Sequence, residues 1–340
     1  MAFNKELVEK AAKEYKIRSV DSDFAIVEKL LKRAVTVLGS LNAHIKPSDV
    51  KIYLHGSYAN KTNTYFPSKL EVAVELGRTL DYDPDDYPNL GFRVHNNYFV
   101  ETTYEFNPSE FAQLLFMTLQ EMTGGVCTLG DRFIEFGKGE IEGVGTIKHA
   151  VEILPCFTFK HREKNQKMVI VDETLQKQEG RDMIVSLGVL YFDSAVSSHI
   201  VTFPKLHASN GHGKDLATAG NFLRLTRLFK TLNTIGFREA DFLKTRGYFV
   251  QCLLFNVPND IFLLPNSRQG EPNGDELRTI FFKILNYLLY CDMENFVCQN
   301  LVWQLFGKAE EFWTLEEAKA FVKNIKILHD TFPSGRTELA

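Results

Sequence analysis

Residues whose types and spacing can do chemistry gather in one short stretch. The run "VKIYLHGS" reads as a strand delivering the chain into Gly56 and Ser57, and some dozen residues on "SKLEVAVELG" opens a second strand. Glycine lets backbone amides approach a phosphate closely, and the serine hydroxyl adds a donor. Residues 69 and 71 stand two apart on a strand, so their side chains point to the same spot. A third position, Glu152, lies on another apolar run, "HAVEILPCF". Nucleotidyl transfer is one chemistry that uses carboxylates at such strand positions. Divalent ions then bridge the acids and a triphosphate, one activating the attacking hydroxyl and one holding the leaving pyrophosphate. Here the first position is Lys69 and the others are Glu71 and Glu152. An ammonium at residue 69 can pair with phosphate. It is a poor substitute for Mg²⁺ in acidifying a ribose hydroxyl.

The front of the chain alternates strands and helices. "SVDSDFAIVEKLLKRAVTVLGSLNA" carries capping candidates and then apolar residues at helical spacing, which predicts a long helix over about 21–42. Leu70, Val72, Val74 and Leu76 alternate with Glu71, Ala73 and Glu75, as a strand with one apolar face does. "PSEFAQLLFMTLQEMTG" reads as a helix ended by Gly124 and Gly125. "DRFIEFGKGEIEGVGTIKHAVEILPCFTF" offers two or three further strands, and "EKNQKMVIVDETLQKQEG" is polar with short extended pieces. From Lys214 onward the pattern is helical at intervals. Leu216, Phe222, Leu225, Leu228, Phe229 and Leu232 sit at core spacing, and Asn221, Arg224, Arg227 and Lys230 spread over another face. For those basic residues a solvated face competes evenly with a functional one.

Length and composition bound the rest. A chain of 340 residues with 44% hydrophobic content can bury a substantial core and suggests two domains. A net charge of −4 gives no global field to recruit polyanions, so nucleic-acid binding is not indicated and any nucleotide needs a local basic pocket. The five cysteines form no CxxC pair and read as reduced core thiols. The N-terminal run is charged and lacks a signal peptide's apolar segment, and no apolar run approaches spanning length. The expectation is a soluble, cytoplasmic protein without a membrane partner.

The motifs, in their order, carry a resemblance. "GSYANKTN…SKLEVAV" resembles the glycine-serine and acidic-strand motif of polymerase-β-like nucleotidyltransferases, and "VEILPCF" resembles their third-acid strand. "GVLYFDSAVSSHIVTFPKLHASNGHGKDLATAGNFLRLTRLFKTLN" followed by "GYFVQCLLFNVPNDIF" is similar to the bacterial cGAS/DncV-like nucleotidyltransferases, relatives of oligoadenylate synthetase. The likeness runs from about residue 50 to about 325.

That resemblance implies an α+β fold. It has a nucleotidyltransferase core, a mixed and mainly antiparallel sheet with the long N-terminal helix, over residues 1–204, and a C-terminal helical domain over 205–340. It implies that Gly56 and Ser57 hold the triphosphate and that Lys69, Glu71 and Glu152 occupy the three metal-acid slots. Lys214, in a loop before the long helix, and Lys230, near that helix's end, become phosphate-contacting cations. The implied cofactor is Mg²⁺ or Mn²⁺ at Glu71 and Glu152, and the implied substrates are NTPs, ATP or GTP foremost. The implied reaction joins NTPs into a cyclic or linear di- or trinucleotide second messenger used in anti-phage defence. The alternative, favoured by Lys69, is a catalytically impaired binder of a nucleotide or cyclic oligonucleotide. Three further groups near the acids have weaker claims. Glu75 is four residues from Glu71, about 13 Å along a strand. His55 and His149 are possible bases but more often structural, and "DYDPDD" reads as a solvated turn.

Overall fold

The computed structural model describes residues 5–13, 20–64, 66, 69–82, 93–94, 106–164, 183–239, 242, 245–264, 272–307 and 313–331. In chain order its elements are α1 (Lys5–Ala12), α2 (Val20–Leu41), β1 (Val50–Leu54), the single turn α3 (Gly56–Ala59), β2 (Leu70–Tyr82) and β3 (Arg93–Val94). Then come α4 (Pro108–Met122), β4 (Cys127–Leu129), β5 (Ile134–Phe136), β6 (Gly139–Ile141), β7 (Gly145–Ile147), β8 (Val151–Lys164), β9 (Met183–Asp193) and β10 (Ser198–Thr202). The remaining named elements are helices: α5 (Pro204–Ala217), α6 (Asn221–Glu239), α7 (Gly247–Phe255), α8 (Gly274–Tyr290) and α9 (Leu315–Thr331). The segment expected to give two or three strands gives four, because short β5, β6 and β7 precede β8. Most of "DYDPDD" and of "EKNQKMVIVDETLQKQEG" lies outside the described residues.

The chain divides into two compact units. One comprises Ile17–Ala59 and Lys69–Leu206, the other Met1–Lys16, Asn60–Ser68 and His207–Ala340. The boundary expected after residue 204 stands beside a division after Leu206 that also groups two early segments with the C-terminal helices.

The first unit is built on an eight-stranded sheet in the order β1-β2-β8-β9-β10-β3, with β4 and β5 attached through β8. Among the described residues only the β2–β8 pairing of this sheet is parallel, so the sheet is mixed and mainly antiparallel. Alternation decides which face each residue takes. Leu70, Val72, Val74 and Leu76 of β2 and Val151, Ile153 and Phe157 of β8 are buried. Phe157 packs against Phe106 and Phe111 of the α4 region. Helix α4 forms where Asn107 and Glu110 make a reciprocal capping box across Pro108 in the first turn. Helix α2 buries Val27, Leu30, Leu31, Ala34, Val35 and Leu38 along one stripe, as its spacing predicts. Fully burying each valine or leucine of this stripe contributes about 1.5–3 kcal/mol. The opposite sheet face carries a smaller cluster of Ala73, Leu154, Cys156, Val189 and Tyr191 beside a row of acids.

In the second unit, Phe222, Leu225, Leu228, Phe229 and Leu232 of α6 are fully buried. Phe229 meets Phe281 of α8 at 4.9 Å between ring centroids, and Leu7, Val8 and Ala11 of α1 are buried in the same unit. Leu216 departs from the expected core: it is 69% exposed, because α5 ends at Ala217 and its last turn leaves that side chain outside. Four of the five cysteines are buried. Among the described residues no helix is long and apolar enough to cross a membrane.

Candidate functional site

Sheet register brings three glutamates into one row. Glu71 of β2 stands opposite Glu152 of β8 in the parallel ladder, and Glu135 of β5 stands opposite Glu152 in the antiparallel one. Residues opposed across neighbouring strands share a face at about 5 Å spacing. Glu71 and Glu152 therefore meet as the sequence suggests. Glu135 is the acid that sequence reasoning missed, since a three-residue strand reaches it only through a long-range pairing.

Lys69 sits over this row. Its Nζ donates to Oε2 of Glu135 and Oε1 of Glu152, at 2.8 Å each. Those hydrogen bonds hold the ammonium above its ordinary pKa. At the other end of the row, Nδ1 of His55 lies 3.3 Å from Oε2 of Glu71, and the His55 amide donates to the Glu71 carbonyl. His55 is thus paired with an acid of the site.

Gly56 has a reason to be glycine that the phosphate argument did not contain. Its φ is +63°, and a Cβ there would stand 1.6 Å from Oε2 of Glu71. The missing side chain makes room for the Glu71 carboxylate. Ser57 follows in the single turn α3 and is half-buried. The row opens into a cavity of about 400 Å³ lined by His55, Glu71, Glu135, Glu152, Arg132 and Tyr191 among others.

Two neighbours stiffen the site. Asp23 of α2, fully buried, accepts through Oδ2 from the backbone amides of Lys148 and His149 and from Nδ1 of His149, the last at 2.6 Å. This fixes the entry of β8, just before Glu152, and accounts for His149 as a structural group. Glu75, on the same face as Glu71, is buried and committed elsewhere. It accepts from Tyr53 Oη at 2.7 Å, Thr158 Oγ1 at 2.8 Å and Lys205 Nζ at 2.9 Å. Burial would push its carboxyl up, but Lys205 and these three hydrogen bonds outweigh burial and hold it below its ordinary value.

The two cations assigned to phosphate belong to the helical unit. Lys214 lies inside α5 rather than in a loop. Gly211, one turn earlier, is where the helix passes Gln299, whose Nε2 would stand 2.3 Å from an added Cβ. The Lys214 ammonium donates to the Val257 carbonyl and to Asn259 Oδ1, and three phenylalanine rings, of Phe222, Phe255 and Phe262, lie 5.2–5.8 Å from it. Burial pushes it down to about 8. Lys230 is at the middle of α6, not its end, and donates to the carbonyl and hydroxyl of Thr62. Arg227 donates to the carbonyls of Ala12 and Lys61, and Asn221 to that of Phe262. This helix face is therefore packed against backbone carbonyls rather than solvated.

The implied divalent ion can be tested against these donors. Among the described residues no three His, Cys, Asp or Glu side chains converge as a metal ion requires. Two of the three carboxylates in the row are already engaged by Lys69. The donor set does not fit a divalent ion in this arrangement.

Comparison with known proteins gives a consistent answer. Residues 209–329 match the model of the cGAS/DncV-like nucleotidyltransferase C-terminal helical domain. The cyclic nucleotide synthase CdnE01 of Staphylococcus haemolyticus is 26% identical over 301 residues, 87% of this chain and 90% of the relative. The cyclic UMP-AMP synthase of Rhodothermus marinus is 25% identical over 275 residues, 80% and 82% of the two chains. The solved structure of the Rhodothermus marinus CdnE c-UMP-AMP synthase with Apcpp and Upnpp superposes with a TM-score of 0.72 at 20% identity, covering 98% of this chain and 99% of that one. The Elizabethkingia meningoseptica CdnE cyclic dinucleotide synthase with GTP and Apcpp gives 0.66 at 17% identity, covering 95% and 97%. The chain thus shares the fold of these synthases, is similar to them over most of its length, and carries at 209–329 helices that match the C-terminal domain of the cGAS/DncV-like nucleotidyltransferases.

Proposed function

We propose that this protein joins nucleoside triphosphates into a cyclic or linear di- or trinucleotide, with the pocket of the sheet unit as its reaction centre. The observation that carries the reading is the register that places Glu71 beside Glu152, with Gly56 shaped around the Glu71 carboxylate. In such a reaction a ribose hydroxyl of one nucleotide attacks the α-phosphorus of another. The new O–P bond forms, the bond to the leaving pyrophosphate breaks, and the hydroxyl proton passes to a base.

The Glu71–His55 pair is the proton acceptor in the pocket, and Gly56 and Ser57 are the turn facing the phosphates. Lys69 and Arg132 set positive charge against the charge that develops there. Magnesium or manganese, carried by the family resemblance, would have to enter against the Lys69 contacts. ATP and GTP are the first substrates to try. The product acts as a second messenger in anti-phage defence within the cytoplasm.

A second reading has its own observation. With Lys69 committed to Glu135 and Glu152, the pocket binds a nucleotide without turning it over. One experiment separates the two. The purified protein is incubated with labelled ATP, GTP, CTP and UTP, singly and in pairs, with Mg²⁺, with Mn²⁺ and with EDTA, then treated with phosphatase and chromatographed. A phosphatase-resistant product supports transfer. No product in any mixture, together with calorimetric binding of an NTP, removes the first reading in favour of the second.

A further inference from the structure

The family chemistry calls for a divalent cation where this chain puts a side chain. Lys69 is 43% exposed and so free to reorient, yet its ammonium is 2.8 Å from one carboxylate oxygen on each of two different strands. A lysine ammonium has three N–H donors, and two are spent on Glu135 and Glu152. The contacts are charge-assisted and therefore among the stronger hydrogen bonds a surface side chain makes. Glu135 matters as much as the lysine. Register fixes it opposite Glu152, on a strand pinned by the β4–β5 hairpin and by β8. The two carboxylates form a preset cradle that one monovalent cation fills.

We infer that Lys69 is an internal counter-ion that excludes divalent ions from the Glu71–Glu152–Glu135 row, with Glu135 as the anchor that makes the exclusion effective. A free divalent ion entering the row must displace an ammonium tethered beside it, at a local concentration no dissolved ion reaches. Removing the ammonium leaves the Glu135 and Glu152 carboxylates without their shared cation, beside Glu71, and their mutual repulsion favours taking up another. The inference stands on the pocket's geometry alone, so the product assay above can fail without touching it.

Titration with Mn²⁺ alone, followed by electron paramagnetic resonance, tests it on three proteins: the wild type, Lys69→Met, and Lys69→Met combined with Glu135→Gln. Lys69→Met keeps the aliphatic stem and deletes the charge, and thermal melts establish that each variant is folded. The expected result is weak Mn²⁺ uptake by the wild type and a gain of about ten- to a hundredfold for Lys69→Met, the range of one or two charge-assisted bonds. Most of that gain should disappear in the double variant. Tight Mn²⁺ binding by the wild type, or equal binding by the wild type and Lys69→Met, overturns the inference. So does a double variant that binds as tightly as the single one, since Glu135 would then have no part in the row.

Discussion

Nζ of Lys69 lies 2.8 Å from Oε1 of Glu152, the residue that stands opposite Glu71 across the β2–β8 ladder. A cation is therefore built into the row of acids on which nucleotidyl transfer would depend. The remaining features of the site follow from how tightly its neighbours are tied, and each tie has a measurable consequence.

Gly56 combines a positive φ with a Cβ position occupied by the Glu71 carboxylate. Gly56→Ala must strain the backbone and expel Glu71 from the row. A stability loss of about 1–2 kcal/mol in urea is expected. Nucleotidyl transfer should fall at least about a hundredfold, because small displacements of reacting groups are costly. Full activity in Gly56→Ala would show that Glu71 need not occupy this place.

Glu75 is a buried carboxylate with three partners, and its role is structural. Glu75→Ala leaves the Lys205 ammonium and the Tyr53 hydroxyl without their acceptor. It should cost about 3 kcal/mol by equilibrium unfolding. Because the folded carboxyl is held below its ordinary range, its contribution is fully present above the unfolded pKa of about 4.3 and is lost as pH falls below it. Glu75→Gln should therefore flatten the acid limb of the stability curve. An unchanged acid limb would remove Glu75 from the explanation.

His199 acts at a higher pH. It is 5% exposed, and burial pushes its imidazole down to about 4 from an ordinary 6.5. The folded protein keeps the ring neutral while the unfolded chain takes up a proton below pH 6.5. Stability should fall as pH drops from about 6.5 to about 4 by up to about 3 kcal/mol, with no further loss from this group below that. Urea unfolding of His199→Phe at pH 7 and pH 5 checks the sign, since the variant should lose less stability over the interval than the wild type.

Lys214 is held by two oxygens and surrounded by three phenylalanine rings. Lys214→Met should destabilise by about 1–2 kcal/mol through the lost carbonyl bond and cation–π contacts. Calorimetry with an ATP analogue then decides whether the residue also serves phosphate. Weakened nucleotide affinity with unchanged stability would favour the phosphate role over the structural one.

Much of this was legible in the sequence, for identifiable reasons. The apolar stripe of α2 and the alternation of β2 are local patterns, and the helix and strand appear within a residue of where spacing puts them at their start. Glu71 and Glu152 were paired correctly because both lie on apolar strands with acids on the facing side. Glu135 was not found, because its strand is three residues long and its place is set by pairing with β8 rather than by any periodicity. The partners of the basic residues of α6 were not legible for a similar reason. Spacing shows that Arg227 and Lys230 share a side of the helix, but not that the carbonyls of Ala12, Lys61 and Thr62 wait there. Lys214, which the resemblance puts in a loop, lies in helix α5 with Gly211 one turn before it. Close packing against Gln299 supplies the reason for a glycine within a helix.

The most direct test of the Glu71–Glu152 row as a reaction centre compares the rate of phosphatase-resistant product formation by the wild type and Glu71→Gln, in the NTP mixture that gives most product. Glu71→Gln keeps the shape and removes the charge, and a thermal melt shows whether the fold is retained. The predicted result is product from the wild type and a fall of at least about a hundredfold in the variant with an unchanged melting temperature. No product from the wild type, or a Glu71→Gln rate within about twofold of it, would contradict this centre.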